Sequence, residues 1–179
     1  RAVAAAGHRV LIVKASEGPR YTFKAFRRLC DAARNEGLVV GSYHFALPSK
    51  GDAVAEARAY HAWARHVHAE VSLPPVLDIE DPKATKGTTT EKWVTTFTLE
   101  CDALFGRRTV IYTGNWYWKE WLRSARWERT LWLASYPKTT PKPDAVPPSL
   151  SYGAHVWKPA IWQYSASAKV PGLSGKFDC

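Results

Sequence analysis

A chain of 179 residues, 46% hydrophobic and 23% charged, is long enough for one folded domain and too apolar for a disordered one. No stretch reaches the ~18 apolar residues of a membrane-spanning helix, so nothing is expected to insert into a bilayer. The net charge of +9 points to an anionic partner, whether nucleic acid, an acidic polymer or a charged surface; dispersed as it is, it also fits an ordinary solvated face.

Arg1 to Gly7 is too short and too uniformly small for a secretory core segment. Arg9–Lys14 (RVLIVK) is an apolar, β-branched run that predicts a buried strand. Thr22–Glu36 has helical apolar spacing, with Gly37 as its stop. Leu38–Phe45 (LVVGSYHF) predicts a second strand, and Asp52–Glu70 an Ala-rich helix capped by Asp52. Val76–Glu80 (VLDIE) predicts a third strand, introduced by Pro74–Pro75 and ended by Asp81–Pro82. Thr88-Thr89-Thr90-Glu91 has the spacing of a capping box and opens a helix that runs to Gly106.

Thr109–Thr113 predicts a fourth strand, Asn115–Arg123 a short aromatic helix, and Thr130–Ser135 a fifth strand. Residues 137–150 carry five prolines and read as a loop. Ala160–Ser165 and Gly175–Asp178 predict closing strands. The alternation of β and α implies parallel strands with helices outside them, as an open doubly wound sheet or a closed barrel, in a single α/β domain over 1–179. Three cysteines, Cys30, Cys101 and Cys179, fit neither a disulfide framework nor a zinc knuckle. Cys30 and Cys101 fall in predicted helices, where buried free thiols are the default and a bridge between them stays open.

Asp78-Ile79-Glu80 carries the sharpest chemistry. In a strand its two acids point to one face, about 6.6 Å apart along the chain. They stand at the carboxyl end of a buried strand, where parallel α/β proteins build their sites. Close carboxylates in a partly apolar pocket hold one proton between them, as glycoside hydrolysis requires. The alternatives are two solvated strand-end acids, or a Mg²⁺ or Mn²⁺ site using Asp78, Glu80 and Asp81.

Nine Trp and eight Tyr favour a sugar, because pyranose rings pack on aromatic faces. Tyr43, Tyr112, Trp132, Tyr136, Trp162 and Tyr164 lie at predicted strand ends. Each alone reads as core, and base stacking is the rival for the set. His61, His66 and His68 lack metal-ligand spacing and read as surface or packing residues, whereas His44, at a strand end, is a candidate for the pocket. No Gly-rich phosphate loop occurs, and neither cofactor nor metal is expected.

The chain resembles the family 25 glycoside hydrolases, the Chalaropsis-type lysozymes. The resemblance rests on Val13-Lys14-Ala15-Ser16-Glu17-Gly18, Gly41-Ser42-Tyr43-His44-Phe45, Leu73-Pro74-Pro75-Val76-Leu77-Asp78-Ile79-Glu80, Ile111-Tyr112-Thr113, Leu131-Trp132-Leu133-Ala134-Ser135-Tyr136, Ile161-Trp162-Gln163-Tyr164-Ser165 and Val170-Pro171-Gly172-Leu173 through Asp178. It implies a TIM-like flattened (β/α)5β3 barrel that cleaves the β-1,4 bond between N-acetylmuramic acid and N-acetylglucosamine. It implies Glu80 as general acid, Asp78 as its charged neighbour and Asp178 as a third carboxylate. Glu17, Tyr43, Tyr112, Trp132, Tyr136, Trp162 and Gln163 match pocket positions.

In the family, a first strand carrying an Asp-Val-Ser-like motif precedes the equivalent of Arg1. The resemblance implies that this strand is missing from the sequence, as a fragment or a natural truncation, with unpaired strand edges and one absent pocket carboxylate as the expectation. The resulting expectation is a peptidoglycan hydrolase, monomeric, secreted or released onto the bacterial cell wall, with peptidoglycan glycan strands and not nucleic acid as partner. The alternatives are a catalytically inactive wall-binding module of the same fold and a metal-dependent nuclease using Asp78, Glu80 and Asp81.

Overall fold

In a computed structural model of the chain, the described residues are 2–69, 72–122, 125, 127–142, 144–152, 155–171, 175 and 178. A short helix α1 (Ala2–Ala5) leads into β1 (Val10–Glu17), which turns back through the two-residue β2 (Tyr21–Thr22). Then follow α2 (Phe26–Asn35), β3 (Val39–Phe45), α3 (Ala53–His68), β4 (Val76–Asp78), α4 (Thr88–Phe105) and β5 (Val110–Gly114). α5 (Asn115–Tyr117) continues into a π-helical turn, Trp118–Leu122, before β6 (Leu131–Ala134). A hairpin of β7 (Leu150–Tyr152) and β8 (His155–Trp157) precedes β9 (Ile161–Gln163).

The main sheet runs β2-β1-β3-β4-β5-β6-β9. Every pairing in it is parallel except β1 with β2. The sheet curls into a half-barrel with helices on its outer face, the α/β architecture expected. Its two faces carry separate apolar clusters. Outside, Phe26, Tyr60, Val67, Leu77, Ile79, Phe97, Ile111, Leu131 and Leu133 join sheet to helices. Inside, Val76, Val110, Tyr112 and Ala134 pack with Tyr43 and Trp132 to form a floor. The strands are thus buried on both sides, which is why they read as near-continuous apolar runs.

Several expectations are corrected. α2 begins at Phe26 instead of Thr22, because Tyr21 and Thr22 pair antiparallel with Glu17 and Ser16. The capping box does not form. Gly87, at φ 77°, caps α4, and the Thr90 hydroxyl instead donates to the Thr85 carbonyl. The β7–β8 hairpin was not expected. Trp157 anchors it, its indole N–H donating to Arg129 O at 2.8 Å and its ring set against Trp118. The closing strand expected at Gly175–Asp178 includes residues 176 and 177, outside the described residues. Asp52 does cap α3, accepting from Ala55 N at 3.0 Å, and Gly106 ends α4 in the left-handed region.

Cys30 and Cys101 are both free and buried. Burial raises their thiols, Cys30 to about 11 and Cys101 to about 12, where the reactive thiolate is scarce. Neither is therefore expected to react with a thiol reagent in the native protein, and both are expected to react after denaturation without prior reduction; peptide mass mapping checks this.

Candidate functional site

The site grows from the register of the parallel strands. Directly paired residues of neighbouring strands share a face, so each rung of the sheet is a row of side chains. One rung runs Lys14, Tyr43, Val76, Val110. The next runs Glu17, Phe45, Asp78, Tyr112, Trp132, Ile161. A third runs Gly114, Ala134, Gln163. Of these rungs, Lys14, Tyr43, Phe45, Val76, Asp78, Tyr112, Trp132 and Gln163, with Glu80 and Asp178, line a cleft of about 160 Å³.

Glu17 reaches this face because β1 is irregular between Lys14 and Ser16. Without the bulge, Lys14 and Ser16 would share a face and Glu17 would point the other way. With it, Ser16 pairs with His44 on the helix side, and Glu17 pairs with Phe45 on the cleft side. Lys14 and Glu17 form an ion pair there, with the Lys14 ammonium 4.6 Å from the centre of the Phe45 ring. Lys14 and Phe45 were not expected in the site. A lysine in the middle of the buried run VLIVKAS is the sequence signal that could have found the first.

Asp78 ends β4 and is 7% exposed. Its Oδ1 is buried and has no hydrogen-bond partner. Glu80 follows two residues later and is half-buried. Burial drives the Asp78 carboxyl well above the ordinary range, and the negative charge of Glu80 adds to this; Lys14 opposes both. Glu80 is raised by burial first and by Asp178 second, again against Lys14. Asp178 is itself raised by burial. Three carboxyls therefore share one cleft in which their joint ionisation is disfavoured, so a proton is retained to higher pH than on any isolated acid.

Aromatic side chains wall the cleft. Tyr112 meets Trp132 edge to face at 5.0 Å. Tyr136 stands at the rim, 56% exposed, its hydroxyl accepting from Gln163 Nε2 at 3.0 Å. Tyr43 borders the cleft beside Asp78.

Two expected pocket residues lie elsewhere. His44 faces α3. Tyr43 and His44 are consecutive in a strand and cannot point to the same side, and Tyr43 holds the cleft side. His44 Nδ1 sits 2.9 Å from Ser16 Oγ, and its Nε2 sits 2.9 Å from Glu56 Oε2. The same alternation turns Trp162 away while Gln163 lines the cleft. The Trp162 indole N–H donates to Ser135 O at 2.7 Å, and its ring lies against Tyr164. Asp81, considered as a metal ligand, points its oxygens at backbone amides of two loops, accepting from Ser49 N at 3.1 Å and from Lys83 N at 3.0 Å. His68 is a packing residue, pushed down to about 4 by burial and bonded to Ser42 and Leu73.

Comparison with known proteins places the sequence and fold of the chain in a family. The family model described as glycosyl hydrolases family 25 matches residues 1–173. The chain is 31% identical to Lysozyme M1 of Streptomyces globisporus over 190 aligned residues, covering 98% of this chain and 60% of that one. It is 29% identical to the autolytic lysozyme of Clostridium acetobutylicum, covering 99% of this chain and 49% of that one. It thus spans about half to three-fifths of these curated relatives. The crystal structure of a bacterial lysozyme from Streptomyces coelicolor superposes with a TM-score of 0.80 at 28% identity, covering 99% of this chain and 82% of that one. On the family match over nearly its whole length, the chain belongs to the glycosyl hydrolases of family 25.

Proposed function

We propose that this chain is a peptidoglycan hydrolase, an N-acetylmuramidase that cleaves the β-1,4 bond between N-acetylmuramic acid and N-acetylglucosamine. The observation that carries this reading is a buried, unpartnered Asp78 carboxyl oxygen beside Glu80, inside a cleft walled by Tyr43, Tyr112 and Trp132. Glu80 is the general acid. It gives its proton to the glycosidic oxygen as the bond to the anomeric carbon breaks. Water then supplies hydroxyl to that carbon, and its remaining proton returns to the carboxyl.

Asp78 stabilises the positive charge that develops on the sugar ring, or orients the 2-acetamido group, and Asp178 completes the acidic wall. Lys14 and Glu17 set the charge at one end, while Tyr136 and Gln163 offer hydrogen bonds at the other. The enzyme works as a monomer on the bacterial wall, where its net charge of +9 suits a polyanionic surface. No helix among the described residues is long and apolar enough to cross a membrane. Incubated with purified peptidoglycan, the chain is expected to clear turbidity and release new reducing ends. Binding to walls without new reducing ends would instead identify a wall-binding module.

The pH profile follows from the charges. Glu80 must be protonated to act, and burial and Asp178 raise its pKa. The alkaline limb of kcat/KM is therefore expected above the ordinary glutamate range. Lys14 favours ionisation of Glu80, so Lys14→Gln is expected to move that limb to still higher pH. A limb that moves down in the variant would contradict the assigned electrostatics.

A further inference from the structure

Next to the cleft stands a ring cluster that the proposed mechanism does not use. Trp116 opens the segment after β5 and is 49% exposed. Its indole sits over Gly114, where a Cβ would meet Trp116 Nε1 at 2.6 Å. Gly114 lies two residues beyond Tyr112 and pairs with Ala134, on the rung that ends in Gln163. Its absent side chain would therefore point to the cleft side of the sheet, and the indole occupies that space.

The ring is also held from behind. Trp121 and Tyr117 meet it edge to face at 5.8 and 5.4 Å, and those two rings stack on each other at 4.8 Å. Trp121 is pinned by its N–H donating to Ala84 O at 3.0 Å. Burial raises the Tyr117 hydroxyl pKa most, and the charges of Asp81 and then Glu80 add to it. The cluster is thus anchored beside the proposed acid and presents one half-exposed indole along the rim.

We propose that Trp116 is a stacking platform for a further pyranose ring of the glycan, beyond the two that flank the cut bond. This rests on the glycan-hydrolase reading above. A flat, pre-positioned indole costs little entropy when a ring settles on it. It would make longer glycans better substrates than short ones, without taking part in bond cleavage.

The test uses β-1,4-linked N-acetylhexosamine oligomers of increasing length. Binding is measured by calorimetry to the Glu80→Gln chain, with and without Trp116→Ala, and cleavage is measured in chains that retain Glu80. In the parent, affinity is expected to rise with oligomer length and then level off. Trp116→Ala is expected to reduce the advantage of long over short oligomers about tenfold, the equivalent of one stacked ring, and Trp116→Phe to keep most of it. Gly114→Ala, in a β-compatible backbone at φ −86°, displaces the indole and is expected to act like Trp116→Ala. An unchanged length preference in Trp116→Ala and Gly114→Ala, with oligomers still bound and cleaved, would overturn the platform alone. Absence of binding and cleavage for every oligomer in the parent would overturn the glycan reading beneath it.

Discussion

Glu80→Gln is expected to lower turnover on peptidoglycan by about a thousandfold, the usual contribution of a positioned general acid. The substitution keeps the size of the side chain and removes the proton that the leaving oxygen needs. Glu80 forms no structural hydrogen bond among the described residues, and it borders the cleft. The variant should therefore fold with an unaltered far-ultraviolet spectrum and still bind glycan. Release of new reducing ends from purified walls is the measurement. Lysis at the parent rate by a folded Glu80→Gln chain would remove Glu80 from the role of acid.

Glu56→Ala is expected to destabilise the chain by about 3 kcal/mol, because it leaves two buried hydrogen-bond donors without their acceptor and opens a cavity. Glu56 and His44 are both fully buried. Leu47 N donates to Glu56 Oε2 at 3.2 Å, and His44 Nε2 approaches the same oxygen. That oxygen accepts, so Nε2 carries the ring proton and Nδ1 accepts from the Ser16 hydroxyl. Burial lowers the pKa of His44, which keeps the ring neutral, stacked on Phe97 at 5.2 Å.

Removing Glu56 strands the His44 N–H and the Leu47 amide in an apolar layer. It also opens space against Gly51, where a Cβ would meet Glu56 Oε1 at 2.0 Å. Denaturant unfolding should show a lower midpoint at unchanged slope, and Tm should fall by roughly 6–12 °C. Glu56→Gln keeps an acceptor and should recover more than half of the loss. A loss of unfolding free energy below ~1 kcal/mol, the scale of an ordinary point substitution, would mean that this chain of bonds does not hold β1 to β3.

The path from residues to site was legible where one short stretch decided the outcome. RVLIVK, LVVGSYHF and the first three residues of VLDIE form strands because their apolar and β-branched residues fit a sheet buried on both faces, whereas the strand expected over Val76–Glu80 ends at Asp78 and leaves Glu80 on the segment that follows. Asp78 and Glu80 could be paired from spacing alone. What escaped was decided by partners distant in sequence. Alternation along β3 makes Tyr43 and His44 exclusive choices for the cleft, and local sequence does not say which one wins. The Ser16–His44–Glu56 contacts settle it across residues 16, 44 and 56.

The bulge that turns Glu17 inward is likewise invisible without the neighbouring strand. The β7–β8 hairpin follows the proline-rich stretch, and its Trp157 is held by Arg129, Trp127 and Trp118 of the π-helical turn, all distant in sequence. β2 is two residues long, too short to carry a period of its own.

The identity of the new reducing terminus tests the central claim most directly. Purified peptidoglycan digested by the chain and then reduced with borohydride should yield the reduced form of N-acetylmuramic acid at every new end, and Glu80→Gln should yield almost none. New ends that carry reduced N-acetylglucosamine, or walls that bind the chain and give no new ends, would contradict the account.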